Sequence, residues 1–332
     1  MSEFDLIKRY FTRPVRHAAL GVGDDCALLA PRPGTQLAIS SDMLVEGRHF
    51  LADADPAALG HKALAVNLSD LAACGAKPLA FTLALALPTV DEPWLAGFSR
   101  GLLALADLHG CELVGGDTTQ GPLNICITVF GEVPVAGGRS QALLRSGARV
   151  GDDIYVSGTL GDARLALDAL RGRITLPASV LQQARLRLEQ PIPRVALGQA
   201  LRGVASAVID VSDGLLGDLQ HVLRASGVGA VIDTSIAINL IAASANIDLA
   251  GGLFDAQKRL EYVLSGGDDY ELAFTAPAAA REAVGAAARQ AATPVTCIGR
   301  IEASNESGGS LRLIDAQGRA VPAGYPSFDH FA

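Results

Sequence analysis

At 332 residues, 49% of them hydrophobic and 19% charged, the chain is long enough for two domains with sizeable cores, which excludes an intrinsically disordered segment. Its formal net charge is −8 and its basic residues form no cluster, which argues against nucleic acid or an anionic membrane as the main partner. The five cysteines, Cys26, Cys74, Cys111, Cys126 and Cys297, include no C-x-x-C pair and read as reduced core residues.

The first residues, Met1–Arg9, have the pattern of a short amphipathic helix rather than a secretory signal. No apolar run is long enough to span a bilayer, so a cytoplasmic location is expected. Gly21-Val-Gly-Asp-Asp-Cys26 then sets two adjacent carboxylates in a glycine-framed turn ahead of an apolar run, an arrangement that usually has a cation or proton to compensate it. Gln36–Ser40 reads as a strand that ends at Ser40-Ser41-Asp42. Asp55-Pro56 opens a helix that runs to about Cys74 and stops at Gly75. Asn67 and Asp70 share one face of it, and Asp70 in so apolar a segment is either paired, metal-bound or on a solvated face.

Leu79–Leu87 reads as a strand, Asp91-Glu92-Pro93 caps a helix ending near Gly110, and Glu112–Val114 is a strand leading into Gly115-Gly-Asp-Thr-Thr119. Leu123–Val133 alternates as a longer strand. A glycine-rich linker at 137–150 places a domain boundary there, giving domains of 1–138 and 150–332. The second half continues with a strand at Ile154–Val156, helices at Asp162–Leu170, Ala178–Glu189 and Val195–Leu201, and a strand at Ala207–Ile209 that ends in Asp210-Val-Ser-Asp-Gly214. A helix from Leu215 to about Ala225, the turn Ser265-Gly-Gly-Asp-Asp269, a strand at Leu272–Thr275, a helix from about Pro277 to Ala292 and two strands, Val295–Ile301 and Leu311–Ile314, complete the order. The whole is an α/β pattern with acidic turns at strand ends.

One Asp beside Gly or Ser is an ordinary turn; six such stretches in one chain point to a common purpose. Carboxylates with hydroxyls are hard oxygen donors that suit Mg²⁺, and the lack of Cys/His ligand spacing argues against Zn²⁺. Mg²⁺ is commonly completed by phosphates and water, so a metal–nucleotide site and phosphoryl chemistry follow. No P-loop, dinucleotide fingerprint or protein-kinase motif set is present. Arg145, near the boundary and beside Ser146-Gly147, is a phosphate partner or a surface residue of the linker.

Gly21-Val-Gly-Asp-Asp-Cys-Ala-Leu-Leu29, Asn67-Leu-Ser-Asp-Leu-Ala-Ala73, Gly115-Gly-Asp-Thr-Thr119, Asp210-Val-Ser-Asp-Gly-Leu215 and Leu264-Ser-Gly-Gly-Asp-Asp-Tyr-Glu-Leu272 closely resemble the thiamine-monophosphate kinase family, in the same order and over nearly the whole chain. The resemblance implies the two-domain α/β fold of the aminoimidazole ribonucleotide synthetase superfamily, with an N-terminal domain that dimerises and a C-terminal α/β domain. It implies ATP and thiamine phosphate as substrates, and ADP and thiamine diphosphate as products. By motif, Asp25, Ser40, Ser41, Asp42, Asp70, Asp117, Asp210 and Asp213 would be Mg²⁺ ligands, directly or through water. Gly116, Asp117, Arg145 and Ser212 would hold ATP; His49, Asp268 and Phe328 would face thiamine phosphate. The family often has Glu at position 268, and Pro326-Ser327 interrupts the aromatic tail here. Another ATP-using member of the superfamily, such as selenophosphate synthetase, would need a reactive Cys in a glycine-rich segment, whereas Cys26 enters an apolar run that suits burial. A metal or nucleotide sensor without turnover is the non-enzymatic alternative.

Overall fold

The computed structural model of the chain describes residues 2–242, 255–304, 309–322 and 324–325. By compactness it divides into one unit of Met1–Leu71 with Ala76–Ala142 and a second of Ala72–Gly75 with Leu143–Ala332.

The first unit opens with a helical turn, α1 (Glu3–Leu6), capped by Ser2, whose side chain accepts from the Asp5 N–H at 3.2 Å and whose N–H is met by the Asp5 carboxylate. The turn continues in wider helical form over Ile7–Phe11. Its sheet has the order β1 (Thr35–Val45), β4 (Asn124–Ala136), β2 (Lys77–Leu87), β3 (Glu112–Gln120), with the two-residue β5 (Arg139–Ser140) pairing β4. β1 and β2 run antiparallel to β4, while β2 and β3 are parallel and joined by the crossover helix α3 (Glu92–His109).

Helix α2 (Pro56–Ala73) is apolar on all sides and buried over Ala63–Leu68. It meets α3 closely because neither helix has a side chain at the contact. A Cβ on Gly60 would run into the Phe98 carbonyl oxygen, and one on Gly101 into that of Ala57. Phe81, Phe98, Leu64, Leu95, Leu102 and Ile125 fill the core between helices and sheet, each contributing roughly 1.5–3 kcal/mol by burial.

The second unit is a seven-stranded mixed sheet in the order β12 (Ala320–Val321), β11 (Leu311–Ile314), β8 (Gly229–Asp233), β10 (Val295–Glu302), β6 (Asp152–Ser157), β9 (Glu271–Pro277), β7 (Ala207–Val211). Its helices are α4 (Asp162–Leu170), α5 (Ala178–Glu189), α6 (Val195–Ala200), α7 (Leu215–Ser226), α8 (Thr234–Ala237), α9 (Ala256–Ser265) and α10 (Arg281–Gln290). β7 and β6 are buried along their whole length, Asp152, Asp153 and Ser157 of β6 and Asp210 of β7 included.

Three expectations change. β1 and β3 do not end at Ser40 and Val114 but run on to Val45 and Gln120, so Ser40-Ser41-Asp42 and Gly115-Gly116-Asp117 lie within strands. Pairing carries them through residues of poor strand propensity: Asp42 is opposite Ile127 on β4, and Asp117 opposite Ala84 on β2. β8, α8 and α9 were not expected. Cys26 is exposed at the tip of a loop; only Cys111 is buried among the cysteines, and none of the five is in a disulfide.

Candidate active site

In the first unit, strand alternation sends Ser40 and Asp42 to the face covered by α2. Ser40 Oγ donates to Asp70 Oδ2 on that helix. The Asn67 side-chain oxygen accepts from the Asp42 backbone N–H at 3.1 Å, while its amide nitrogen donates to the Ala63 carbonyl at 3.0 Å. One helix face thus fixes the middle of β1 through two side chains three residues apart. Ser41 points the other way. Its hydroxyl bonds the Ile127 carbonyl at 3.1 Å and Thr128 Oγ1 at 3.0 Å.

The sheet register aligns these motifs. Asp42 pairs with Ile127, Ile127 with Leu83, and Leu83 with Gly116, so Asp42 and Gly116 share one row three strand spacings apart, about 14 Å. At Gly116 the backbone has φ 145° and a Cβ would collide with the Leu83 carbonyl, so no other residue fits. Beside this end of β3 opens a cleft of about 600 Å³. Asp24, Asp25 and Gly115–Thr118 line it on one side, Phe4, Ile7 and Phe11 on another. Asp25 is exposed, its N–H bonded to Asp24 Oδ1 at 2.8 Å. His49 sits in the turn after β1, where its Nδ1 accepts from the Val45 N–H at 3.0 Å, which places the ring proton on Nε2.

In the second unit, β7 delivers a buried Asp210 at its C-terminal end, and Ser212-Asp213-Gly214 form the loop into α7. Asp218 in the first turn of α7 was missed in the sequence. Its Oδ2 accepts the N–H groups of Ser212, Asp213 and Gly214 at 3.0, 3.0 and 3.1 Å. Burial pushes the Asp218 carboxyl up to about 7, the nearby Asp210 and Asp213 adding to it against the three N–H donors. An acid in a helix's first turn was the available signal.

The Ser265–Tyr270 turn packs on this loop: the Asp268 N–H bonds the Ser212 carbonyl at 2.8 Å and the Tyr270 N–H that of Val211 at 2.9 Å. Asp268 and Tyr270 hold positive φ, 66° and 52°, and Tyr270 Oη donates to Asp268 Oδ1 at 3.2 Å. Just beyond, the fully buried Glu271 is held by Arg187 and Arg194, each at 2.6 Å. Arg145 is not brought beside Ser212. It is exposed in a loop tied to Ser226 at the far end of α7, about 18 Å of helix away from Asp213. Phe328 lies outside the described residues.

The donors are all hard oxygens, which fits Mg²⁺. Among the described residues no three His, Cys, Asp or Glu side chains group closely enough to hold a metal by themselves. No helix of the described residues is long and apolar enough to cross a membrane.

Residues 23–133 match the family model for the N-terminal domain of AIR synthase related proteins, and residues 149–312 that for the C-terminal domain. The thiamine-monophosphate kinases of Salmonella typhimurium and Escherichia coli are 48% and 46% identical to the chain, over 99% of it and 98% of theirs. The chain belongs to the thiamine-monophosphate kinase family. It is therefore an enzyme, a kinase, with the two-domain α/β fold expected. The crystal structure of thiamine-monophosphate kinase from Stenotrophomonas maltophilia is 42% identical, with a TM-score of 0.80 over 96% of both chains. A structure of AaThiL complexed with AMPPCP and TMP is 28% identical, with a TM-score of 0.73 over 98% of this chain and 96% of that one. The hydrogenase maturation protein HypE, 21% identical with a TM-score of 0.74, shares the fold.

Proposed function

We propose that the chain transfers the γ-phosphoryl group of ATP to thiamine phosphate, giving thiamine diphosphate and ADP, by Mg²⁺-dependent in-line attack. The observation that carries this reading is the cleft lined by Asp25, Gly116 and Asp117, in a chain related over its full length to enzymes of that name. The AaThiL complex with AMPPCP and TMP supports ATP and thiamine phosphate as the two ligands.

Asp25, Ser40, Ser41, Asp42, Asp70 and Asp117 of the N-terminal domain (1–138), with Asp210 and Asp213 of the C-terminal domain (150–332), would hold Mg²⁺, directly or through water. Bound Mg²⁺ neutralises charge on the transferred phosphoryl oxygens. Gly116, Asp117, Arg145 and Ser212 would bind ATP, the bare Gly116 letting β3 lie close against the Leu83 backbone of β2. His49 would offer Nε2–H to the substrate phosphate, and Asp268 and Phe328 would meet the thiamine portion. The acceptor is already an anionic oxygen and needs no general base, so the chain's task is alignment. The Ser40–Asp70 and Asn67–Asp42 hydrogen bonds serve that task.

A homodimer belongs to the same reading. Leu37, Ile39 and Met43 of β1 are 41%, 60% and 53% exposed on the strand face turned away from α2, an apolar stripe that a second copy would cover. A cytoplasmic location goes with it. The decisive assay mixes the protein with ATP, Mg²⁺ and thiamine phosphate and looks for thiamine diphosphate by chromatography. ATP consumption that does not depend on thiamine phosphate would refute the reading, and a labelled phospho-enzyme able to pass its phosphate on would refute direct transfer.

A further inference from the structure

Residues 16–28 reach the cleft as a small hairpin. Leu20 and Leu28 bridge its base, with the Leu28 N–H on the Leu20 carbonyl at 3.0 Å and the Ala19 N–H on the Leu28 carbonyl at 2.8 Å. Its tip carries Asp24 and Asp25. The hairpin has no other ladder partner among the described residues, so something must set where its tip stands relative to Gly116 and Asp117.

Glu112 meets that need. It is the first residue of β3, four and five positions before Gly116 and Asp117. Its Oε1 accepts from the Arg16 N–H at 2.7 Å and the His17 N–H at 3.1 Å, and its Oε2 from the His17 N–H at 3.0 Å and the Ala18 N–H at 3.1 Å. Charge-assisted bonds of this kind are stronger than neutral ones, and three consecutive donors leave the 16–18 backbone little freedom. Val15 adds a packing contact, its Cγ1 lying where a Cβ on Gly21 would be.

We propose that Glu112 is a positioning residue for metal–nucleotide binding: by clamping Arg16–Ala18 to the start of β3, it sets Asp25 opposite Gly116–Asp117. This rests on the proposed role of those three residues in holding Mg²⁺ and ATP. Glu112 itself touches neither ligand in this account. Removing the carboxylate frees the hairpin to sample positions in which Asp25 misses the metal, and only a fraction of molecules is then competent.

The test uses the full-length protein with Glu112→Ala and Glu112→Gln. In Glu112→Ala, amide hydrogen exchange should quicken in residues 16–28. Mn²⁺ binding measured by water-proton relaxation, and KM for Mg·ATP, should weaken by roughly three- to tenfold, the loss of one to two net hydrogen bonds. KM for thiamine phosphate should stay within about twofold. Glu112→Gln keeps one acceptor oxygen and should fall between Ala and the parent. Unchanged Mn²⁺ affinity and Mg·ATP KM in Glu112→Ala, with only the melting temperature lowered, would overturn the proposal. Asp25→Asn separates the two levels: if it weakens Mn²⁺ binding and Glu112→Ala does not, the clamp is wrong, and if neither does, the assignment of Asp25 falls and the clamp's role with it.

Discussion

Glu112 in the first unit and Asp218 in the second each gather three consecutive backbone N–H groups, those of Arg16–Ala18 and of Ser212–Gly214, yet their carboxyls shift in opposite directions. Burial pushes the partly exposed Glu112 carboxyl up, but its N–H donors prevail and hold it below the usual range. Asp218 is buried with Asp210 and Asp213 nearby, and it rises to about 7 despite its three N–H donors. The same mechanical device therefore stands in two electrostatic settings. In the second the crowding of negative charge favours a proton or a cation; in the first the clamp is complete without either.

The largest test of that contrast is metal removal. Excess chelator should abolish turnover, since the proposed ligands include no thiolate and no imidazole that could work without a hard cation. Full activity in chelator would break the comparison at its root. Asp70→Asn comes next: it keeps the shape and the contact with Ser40 while removing a charge, and activity should fall by at least about a hundredfold with the circular dichroism spectrum unchanged. A variant within threefold of the parent at saturating Mg²⁺ would make Asp70 a strand-to-helix tie and nothing more.

Much of this was legible in the sequence because it is local. The caps of α2 and α3, Asp55 accepting from the Ala58 N–H at 2.8 Å and Asp91 from the Trp94 N–H at 3.1 Å, are read directly from Asp-Pro and Asp-Glu-Pro. The acidic motifs likewise carry the family resemblance by type and order. Illegible were features set by partners distant in the chain. Glu112 looks like an ordinary strand residue until Arg16–Ala18, some 95 positions earlier, are folded onto it. Ser41 stands between two residues of its motif, but its hydroxyl faces Thr128 once β1 pairs with β4. Cys26 follows the apolar-run pattern of a core residue and is nonetheless exposed, because the hairpin holds it at a loop tip.

A smaller effect sharpens the contrast between the clamps. Asp218→Asn keeps an acceptor and removes one of three crowded negative charges, so the metal-free protein should melt no lower than the parent and by a few degrees higher if repulsion dominates. Glu112→Gln also keeps an acceptor but loses an uncrowded charge-assisted clamp, and should melt lower by roughly 1 kcal/mol of stability. The two shifts should have opposite signs in calorimetry without Mg²⁺; a drop of equal size in both would show that the neighbours of Asp218 do not matter.

The smallest effect is the pH dependence of the Glu112 clamp. Burial by itself would raise this carboxyl, but the N–H groups of His17, Ala18 and Arg16, with the charge of His17, outweigh it and leave it below the ordinary glutamate range. Because the folded value is lower than the unfolded one, the unfolded chain binds more protons between the two, and folding stability from this group falls as pH falls. The contribution is complete above the unfolded value and disappears as pH passes down through the folded one. Glu112→Gln cannot titrate, and the other carboxylates are common to both proteins, so the difference in melting temperature isolates this group. That difference should be constant from about pH 6 to 7 and narrow progressively below about pH 4.5. A gap that stays constant in acid would mean that Glu112 binds Arg16–Ala18 equally well when protonated, and the clamp would then be one of shape, without the charge that separates it from Asp218.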